Sequence, residues 1–115
     1  MKIVYFAGPY GDSGGYLAID RNIACAREAA AALADEGYGY YCPHLNSAHF
    51  EVIALEADTA FWYEMDLRFL EVADAMLMLD GWEASDGAQR ERGAARARRI
   101  PVYYSVPEVV ADLEP

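Results

Sequence analysis

Four short apolar runs, separated by loops and helical patterns, limit what this chain can fold into. The runs are Lys2–Ala7, Tyr38–Cys42, Ala75–Leu79 and Val102–Tyr104. Runs of β-formers that are apolar at nearly every position are typical of strands buried on both faces of a sheet. Their alternation with helices is typical of a parallel sheet with helices on both sides. We therefore predict an α/β fold: a small doubly wound parallel sheet of four to five strands, in the flavodoxin-like order 2-1-3-4.

Helical spacing of apolar residues predicts long helices over Tyr16–Glu36 and Thr59–Val72. Gly37 suits the C-cap of the first helix, and Thr59 suits the N-cap of the second. An Ala/Arg-rich helix ends near Arg99, and the Ser-x-x-Glu spacing that begins at Ser105 predicts a capping box for a short final helix. Residues 43–58 show no period and are predicted to be a long loop with room for one helical turn.

Length and charge narrow the class of protein. The chain has 115 residues and is 55% hydrophobic, which is enough for a single domain over residues 1–115 with its own core. Its formal net charge of −10 argues against nucleic acid as a partner, because phosphate backbones are bound by clustered Lys and Arg. The apolar runs are too short for a membrane span or a signal peptide, so we expect a cytoplasmic protein that binds no membrane.

Two cysteines, Cys25 and Cys42, are widely separated, and we expect both to be reduced core residues. Cys42 with His44 and His49 gives three candidate zinc ligands, but their irregular spacing is a weak signal. Each histidine is more often a structural hydrogen-bonding group than a catalytic one. We therefore predict no metal site and no cofactor.

Two loops are candidate ligand sites because both follow predicted strands, where ligands bind in parallel sheets. The stretch from Gly81 to Glu91 is a loop of Gly and small polar residues that opens a helix carrying the Glu91 carboxylate. The stretch Gly8–Gly15 holds four glycines and a proline but no Lys or Arg, and Asp12 would repel an anion. It is either a plain flexible loop or one that lets a neutral sugar or base approach the backbone.

Asp66 lies at the edge of an apolar helix face formed by Phe61, Met65 and Phe69. An acid in that position either lies at the surface or is paired and used, because burying an unpaired charge is unfavourable. The same helix offers more apolar surface than a small sheet can cover. We therefore expect a homodimer or a larger homo-oligomer.

Taken together, these segments resemble the nucleoside 2-deoxyribosyltransferase family, whose relatives include deoxynucleoside-monophosphate N-glycosidases and small phage and bacterial domains. The resemblance covers nearly the whole chain. It is carried by Ile3–Gly8, by Asn22 ahead of an Ala-rich helix, by Glu64–Leu67, and by the spacing Ser85-x-Gly87-x-x-x-Glu91.

The resemblance implies that Glu91 is a nucleophile, that Asp66 is its acidic partner and that Tyr5 orients Glu91. It also implies that Ser85 or Asp86 contacts the sugar. We also predict that the substrate approaches the backbone at Gly8 and Gly87. Tyr10 and Trp82 flank the two loops and either stack on a base or pack ordinarily.

The predicted function is cleavage or transfer at the N-glycosidic bond of a nucleoside or nucleotide, through a covalent glycosyl-enzyme on glutamate. The alternative is a non-catalytic module that binds a nucleotide-like ligand, favoured by Gln89, where some relatives carry Gly. We expect both carboxylates to converge on one cleft floored by Tyr5. There the helix start would keep Glu91 ionised while an apolar surround keeps Asp66 protonated.

Overall fold

A computed structural model describes residues 1–11 and 15–115 of the chain. In this described part, four strands form one parallel sheet in the order β2-β1-β3-β4. The strands are β1 (Ile3–Ala7), β2 (Gly39–Tyr41), β3 (Ala75–Met78) and β4 (Val102–Tyr103). This arrangement confirms the predicted fold class and strand order.

Helices cover both faces of the sheet. The described residues form α1 (Gly15–Asp35), α2 (Pro43–Asn46), α3 (Thr59–Leu70), α4 (Asp86–Ala97) and α5 (Val106–Asp112). One core cluster joins β1 and β3 to α1 and α5, and the other joins the opposite face of these strands to α3 and α4. The sheet is therefore doubly wound, as the alternation of strands and helices predicts.

β1 is central because its side chains are apolar on both faces. Val4 and Phe6 point into the cluster with α1, whereas Tyr5 and Ala7 point into the cluster with α3 and α4. All four are buried. Successive residues of a strand face opposite sides, so one five-residue strand supplies both cores. Tyr5 is thereby directed toward the helices that carry the two candidate carboxylates.

Local capping agrees with the sequence in two places and differs in one. Gly37 has φ of 92° and ends α1, with Tyr38 N–H donating to the Leu33 carbonyl at 3.0 Å. Ser105 accepts from the Glu108 N–H at 3.2 Å at the start of α5. For α3, the prediction that Thr59 is the N-cap was wrong. The N-cap is Asp58, whose carboxylate accepts from the N–H three residues on at 2.9 Å, and a charged acceptor is favoured at a helix start.

The segment between β2 and α3 is more ordered than a plain loop. It contains the single-turn helix α2 and a 3₁₀ turn at Phe50–Val52. Pro43 begins α2, where its missing N–H costs nothing. The expectation that both cysteines lie in the core was correct only for Cys42, since Cys25 is exposed on α1.

Large apolar side chains along α3 and just beyond it stay partly exposed. Phe61, Phe69 and Val72, just beyond the helix, are 49%, 43% and 72% exposed, whereas Leu70 is buried against the sheet. The helix therefore presents apolar surface that the sheet does not cover. Within residues 1–11 and 15–115, no helix has the length and apolar character needed to cross a membrane.

The end of β1 passes so close to the end of β3 that only glycine fits between them. A Cβ built on Gly8 would lie 2.6 Å from the Leu79 Cβ, whereas one on Gly93, on an open side of α4, would meet nothing within 4 Å. We expect Gly8→Ala to lower the free energy of unfolding by about 1–3 kcal/mol through overpacking. The matched Gly93→Ala change should raise it by about 0.5–1 kcal/mol, because alanine is favoured inside a helix. Urea denaturation of both variants checks this, and equal effects would contradict it.

Candidate active site

α4 places Glu91 on the helix face that meets the sheet. Ser85 caps the helix by accepting from the Ala88 N–H at 3.2 Å. Ala88 and Ala95 are buried against the sheet, and Glu91 lies on the same side at helical spacing. The small alanines let the helix approach closely, so the carboxylate of Glu91 reaches the side chain of a strand residue.

That strand residue is Tyr5, whose hydroxyl donates a hydrogen bond to Oε2 of Glu91. Tyr5 is fully buried. Burial, together with the Glu91 and Asp66 carboxylates, raises the pKa of Tyr5 far above its ordinary value of 10. The phenol therefore keeps its proton and serves Glu91 as a fixed donor.

A second tyrosine serves the second carboxylate in the same way. Tyr41 of β2 is the register partner of Tyr5, and the two rings lie 5.7 Å apart. The Tyr41 hydroxyl is 3.4 Å from Oδ1 of Asp66 on α3, a long hydrogen bond. Phe69 stacks on the Tyr41 ring at 4.2 Å and fixes its orientation. The sequence analysis missed Tyr41, and the signal available was its position in an aromatic strand predicted to pair with β1.

Both carboxyl groups hold their protons more strongly than usual. Burial raises the pKa of Glu91 to about 7, with a further rise from the Asp66 charge and an opposing effect of the Tyr5 hydrogen bond. Burial raises the pKa of Asp66 to about 6, against the effect of the Tyr41 hydrogen bond. The expectation that Glu91 is kept ionised is therefore corrected, because desolvation raises its pKa as well. The raised pKa of Asp66 agrees with the expectation that an apolar surround favours its protonated form.

The two acids line one open cleft of about 1400 Å³. The cleft is bounded by the loops after β1 and β3, by the segment around α2 and by α3. Residues 12–14, including Asp12, lie outside the described residues, so the expectation for Asp12 is not addressed. The predicted site residues that line the cleft are Gly8, Tyr10, Asp66, Ser85, Asp86, Gly87 and Glu91.

Two predicted site residues, Tyr5 and Trp82, do not line the cleft. Tyr5 is fully buried and reaches the cleft only through its hydrogen bond to Glu91, whereas Trp82 packs elsewhere. The Trp82 ring packs 5.8 Å from that of Tyr104, with the guanidinium of Arg92 4.7 Å above it. It belongs to the core cluster under α4, and it does not line the cleft. Of the two alternatives left open for Trp82, stacking on a base or ordinary packing, these contacts support ordinary packing. Trp62 of α3 lines the cleft instead.

The first loop is held in place by the segment around α2. Nε2 of His44 lies 2.6 Å from the Pro9 carbonyl, which can only accept, so Nε2 carries the proton. Burial lowers the pKa of His44, which keeps the imidazole neutral. The Tyr10 hydroxyl donates to Glu51 at 2.9 Å, and Asn22 donates to the Tyr10 carbonyl at 2.8 Å. His44 therefore has the structural role that the sequence favoured.

The start of α4 leaves room for a ligand. A Cβ on Gly87 would meet nothing within 4 Å, and Gly87 lines the cleft. Among the described residues, no group of three or more His, Cys, Asp and Glu side chains is arranged to hold a metal ion. The arrangement offers two carboxyl groups of raised pKa, each with a tyrosine donor, facing open space large enough for a nucleoside-sized molecule.

Comparison with known proteins gives one family and one shared fold. Residues 2–104 match the family model described as "Domain of unknown function (DUF4406)". No curated protein sequence matches the chain. Among solved structures, a 2-deoxyribosyltransferase from the psychrotolerant bacterium Bacillus psychrosaccharolyticus is similar at 21% identity, with a TM-score of 0.58. The similarity covers 87% of this chain and 69% of that enzyme, and at this identity it shows the fold.

The half-buried Glu91 carboxyl should make the protein less stable as the pH rises. Its folded pKa of about 7 lies above the ordinary 4.5, so stability is lost between these values, where only the unfolded chain releases the proton. Glu91→Gln should therefore be more stable than wild type by roughly 2–3 kcal/mol near about pH 8, and nearly equal to it near about pH 4. Urea denaturation across this range measures the difference.

The control for this prediction is Glu36→Gln, which removes an exposed carboxylate just beyond α1, outside the cleft. Its stability should follow wild type at every pH within about 0.5 kcal/mol. A parallel pH dependence for wild type and Glu91→Gln would show that Glu91 is ionised normally.

Proposed function

The chain belongs to the family described as "Domain of unknown function (DUF4406)", and from that premise we propose that it cleaves or transfers the N-glycosidic bond of a nucleoside or deoxynucleoside. The observation that carries the proposal is the pair of hydrogen bonds at the cleft, from Tyr5 to Glu91 and from Tyr41 to Asp66. Enzymes that cleave glycosidic bonds usually use a pair of carboxyl groups in one cleft. The fold shared with a 2-deoxyribosyltransferase points to nucleosides as the substrate.

In the proposed reaction Glu91 is the nucleophile and Asp66 is the acid. The Glu91 carboxylate attacks C1′ of the sugar, the bond from C1′ to the base nitrogen breaks, and its electron pair leaves with the base. Asp66 supplies the proton that a neutral base takes up. A second base or a water then attacks C1′, the ester bond from C1′ to Glu91 breaks, and the Asp66 carboxylate takes up the proton that the attacking molecule loses, which gives transfer or hydrolysis and restores both acids. No step requires a cofactor.

Tyr5 is proposed as a positioning residue in this scheme. Its hydroxyl holds one oxygen of Glu91, which leaves the other oxygen free to face C1′. Ser85, Asp86 and Gly87 are proposed to contact the sugar from the start of α4, where Gly87 leaves open space. Tyr10 and Trp62, which line the cleft, are proposed to stack on the base.

The pKa values give the proposed reaction a narrow pH range. Attack needs Glu91 without its proton, at a pKa of about 7, and the leaving base needs Asp66 with its proton, at a pKa of about 6. Only molecules in which Glu91 is deprotonated and Asp66 is protonated at the same time can react, so part of the population is inactive at any pH. The rate on a neutral nucleoside should therefore be bell-shaped, with its maximum between these two values, which belong to the coupled pair.

The decisive test is chromatography of deoxynucleosides and nucleosides after incubation with the protein, with and without a free acceptor base. We expect released base in the wild type, none above background with Glu91→Ala, and binding without turnover with Glu91→Gln, which keeps the shape of the side chain. Glu36→Gln is the matched control and should turn over normally. Unchanged turnover in Glu91→Ala would refute the assigned nucleophile. Binding without turnover in the wild type would instead favour a non-catalytic binding module.

Self-association is a further part of the proposal. Phe61, Phe69 and Val72 leave apolar surface exposed along α3 and just beyond it, which a second copy of the chain would cover. We expect light scattering at micromolar concentration to give at least twice the 12.7 kDa of one chain. Phe61→Ser should shift the mass toward the monomer, whereas Tyr16→Ser, which changes an exposed aromatic residue on α1, should not. A monomeric wild type would contradict this expectation.

A further inference from the structure

The charges around the cleft are strongly unbalanced. Six carboxylic acids line it in the described part of the chain, against one guanidinium, that of Arg90. His44, the histidine of the lining, is kept neutral by burial. The acids are Glu51, Asp58, Asp66, Asp80, Asp86 and Glu91. This excess of acids disfavours a negatively charged ligand in the cleft.

The single guanidinium offsets these acids only in part: its charge lowers the pKa of Glu91, against the larger effect of burial. Arg90 lies over the ring of Tyr63, 4.4 Å from its centroid. Within the described residues, no Lys, Arg or His nitrogen comes within 4.0 Å of Asp80 or Asp86. Two carboxylates at the rim of the cleft are thus uncompensated by protein charges, and a positive charge on the ligand would be attracted to them.

The helix start beside the cleft is poorly suited to a phosphate. Helix N-termini often bind anions, but here the Ser85 hydroxyl already takes the Ala88 N–H. Asp86 adds a carboxylate to the first turn of α4, and Asp80 lines the cleft nearby. A 5′-phosphate in this position would face these charges without an arginine or lysine cluster.

The remaining walls of the cleft are aromatic. Tyr10, Phe50, Trp62 and Tyr63 line it together with the carboxylates. Aromatic faces attract cations as well as flat rings, and a cationic heterocycle is both at once. Resting on the proposed function, we propose that the substrate is an unphosphorylated nucleoside whose base carries a fixed positive charge, such as an N-alkylated purine or a pyridinium.

A positive base also changes the chemistry at the glycosidic bond. When the bond from C1′ to the cationic ring nitrogen breaks, the electron pair goes to that nitrogen and cancels its charge. The base then leaves neutral and takes no proton, while C1′ becomes bonded to Glu91 as an uncharged ester. Water hydrolyses the ester to free sugar, the Glu91 carboxylate and one proton. Asp66 is needed as an acid for a neutral base but not for a cationic one.

The binding test uses Glu91→Gln, so that no ligand is consumed, with folding checked by circular dichroism. Nicotinamide riboside is the cationic probe, its reduced dihydro form is the neutral probe of similar shape, and nicotinamide mononucleotide adds the 5′-phosphate. We expect the cation to bind about tenfold more tightly than the neutral form, with the preference falling as salt is added. The 5′-phosphate should remove most of the gain. Equal or tighter binding of the neutral or the phosphorylated ligand would overturn the proposal.

A matched pair of changes in this background tests whether the cleft acids cause the preference. Asp80→Asn removes a charge that lines the cleft, and Asp35→Asn removes an exposed one at the end of α1. Each changes the net charge equally. We expect Asp80→Asn to reduce the preference for the cation severalfold and Asp35→Asn to leave it unchanged. Equal effects would mean that net charge, and not the cleft, sets the preference.

Turnover separates the ligand proposal from the proposed function. With Asp66→Asn, cleavage of guanosine should fall at least about tenfold, while cleavage of 7-methylguanosine should be largely kept, because only the neutral base needs the proton. Parallel losses would overturn the cationic-substrate proposal. If the cation binds preferentially but the wild type cleaves no nucleoside, the proposed function fails and the ligand proposal stands. If neutral nucleosides bind and react as well as the cations, the proposed function stands and the ligand proposal fails.

Discussion

The hydrogen bond from Tyr5 to Glu91 is the contact on which the rest of the site depends. It joins the central strand to α4 and fixes the carboxylate at the carboxyl end of the sheet. Its geometry follows from the parallel register that sets Tyr41 beside Tyr5, because neighbouring strand residues on one face lie close together. Two adjacent tyrosines thus present two acids from two different helices to one cleft.

Desolvation raises the pKa of both acids and makes the fold less stable as the pH rises. With a pKa of about 7, the Glu91 carboxyl group gains and loses its proton near neutral pH. Each loss of that proton makes the folded state less favoured relative to the unfolded state. The tyrosine donors offset only part of the effect of burial. A loss of stability of this kind is commonly found at functional sites.

The walls of the cleft add a second electrostatic constraint. The two half-buried acids share the cleft with further carboxylates and aromatic side chains, with His44 neutral and Arg90 placed over an aromatic ring. The proposed chemistry and the proposed charge of the substrate rest on the same property. Negative charge stabilises a sugar that becomes positive as the bond breaks, and it also attracts a base that is positive from the start.

The sequence by itself determined the fold and the main acids. Runs apolar at every position predict buried parallel strands, and the spacing that leads to Glu91 predicts its place on a helix after a strand. The sequence did not determine the positions of Tyr41 and Trp82 relative to the cleft, nor the protonation of the acids. Strand register sets Tyr41 beside Tyr5, and Trp82 packs against Tyr104, which is distant in the sequence. Desolvation is a property of the packed surroundings. The local sequence contains the periodicity and the residue types that predict strands, helices and candidate acids. Burial, and contacts between segments far apart in the sequence, exist only in the tertiary structure.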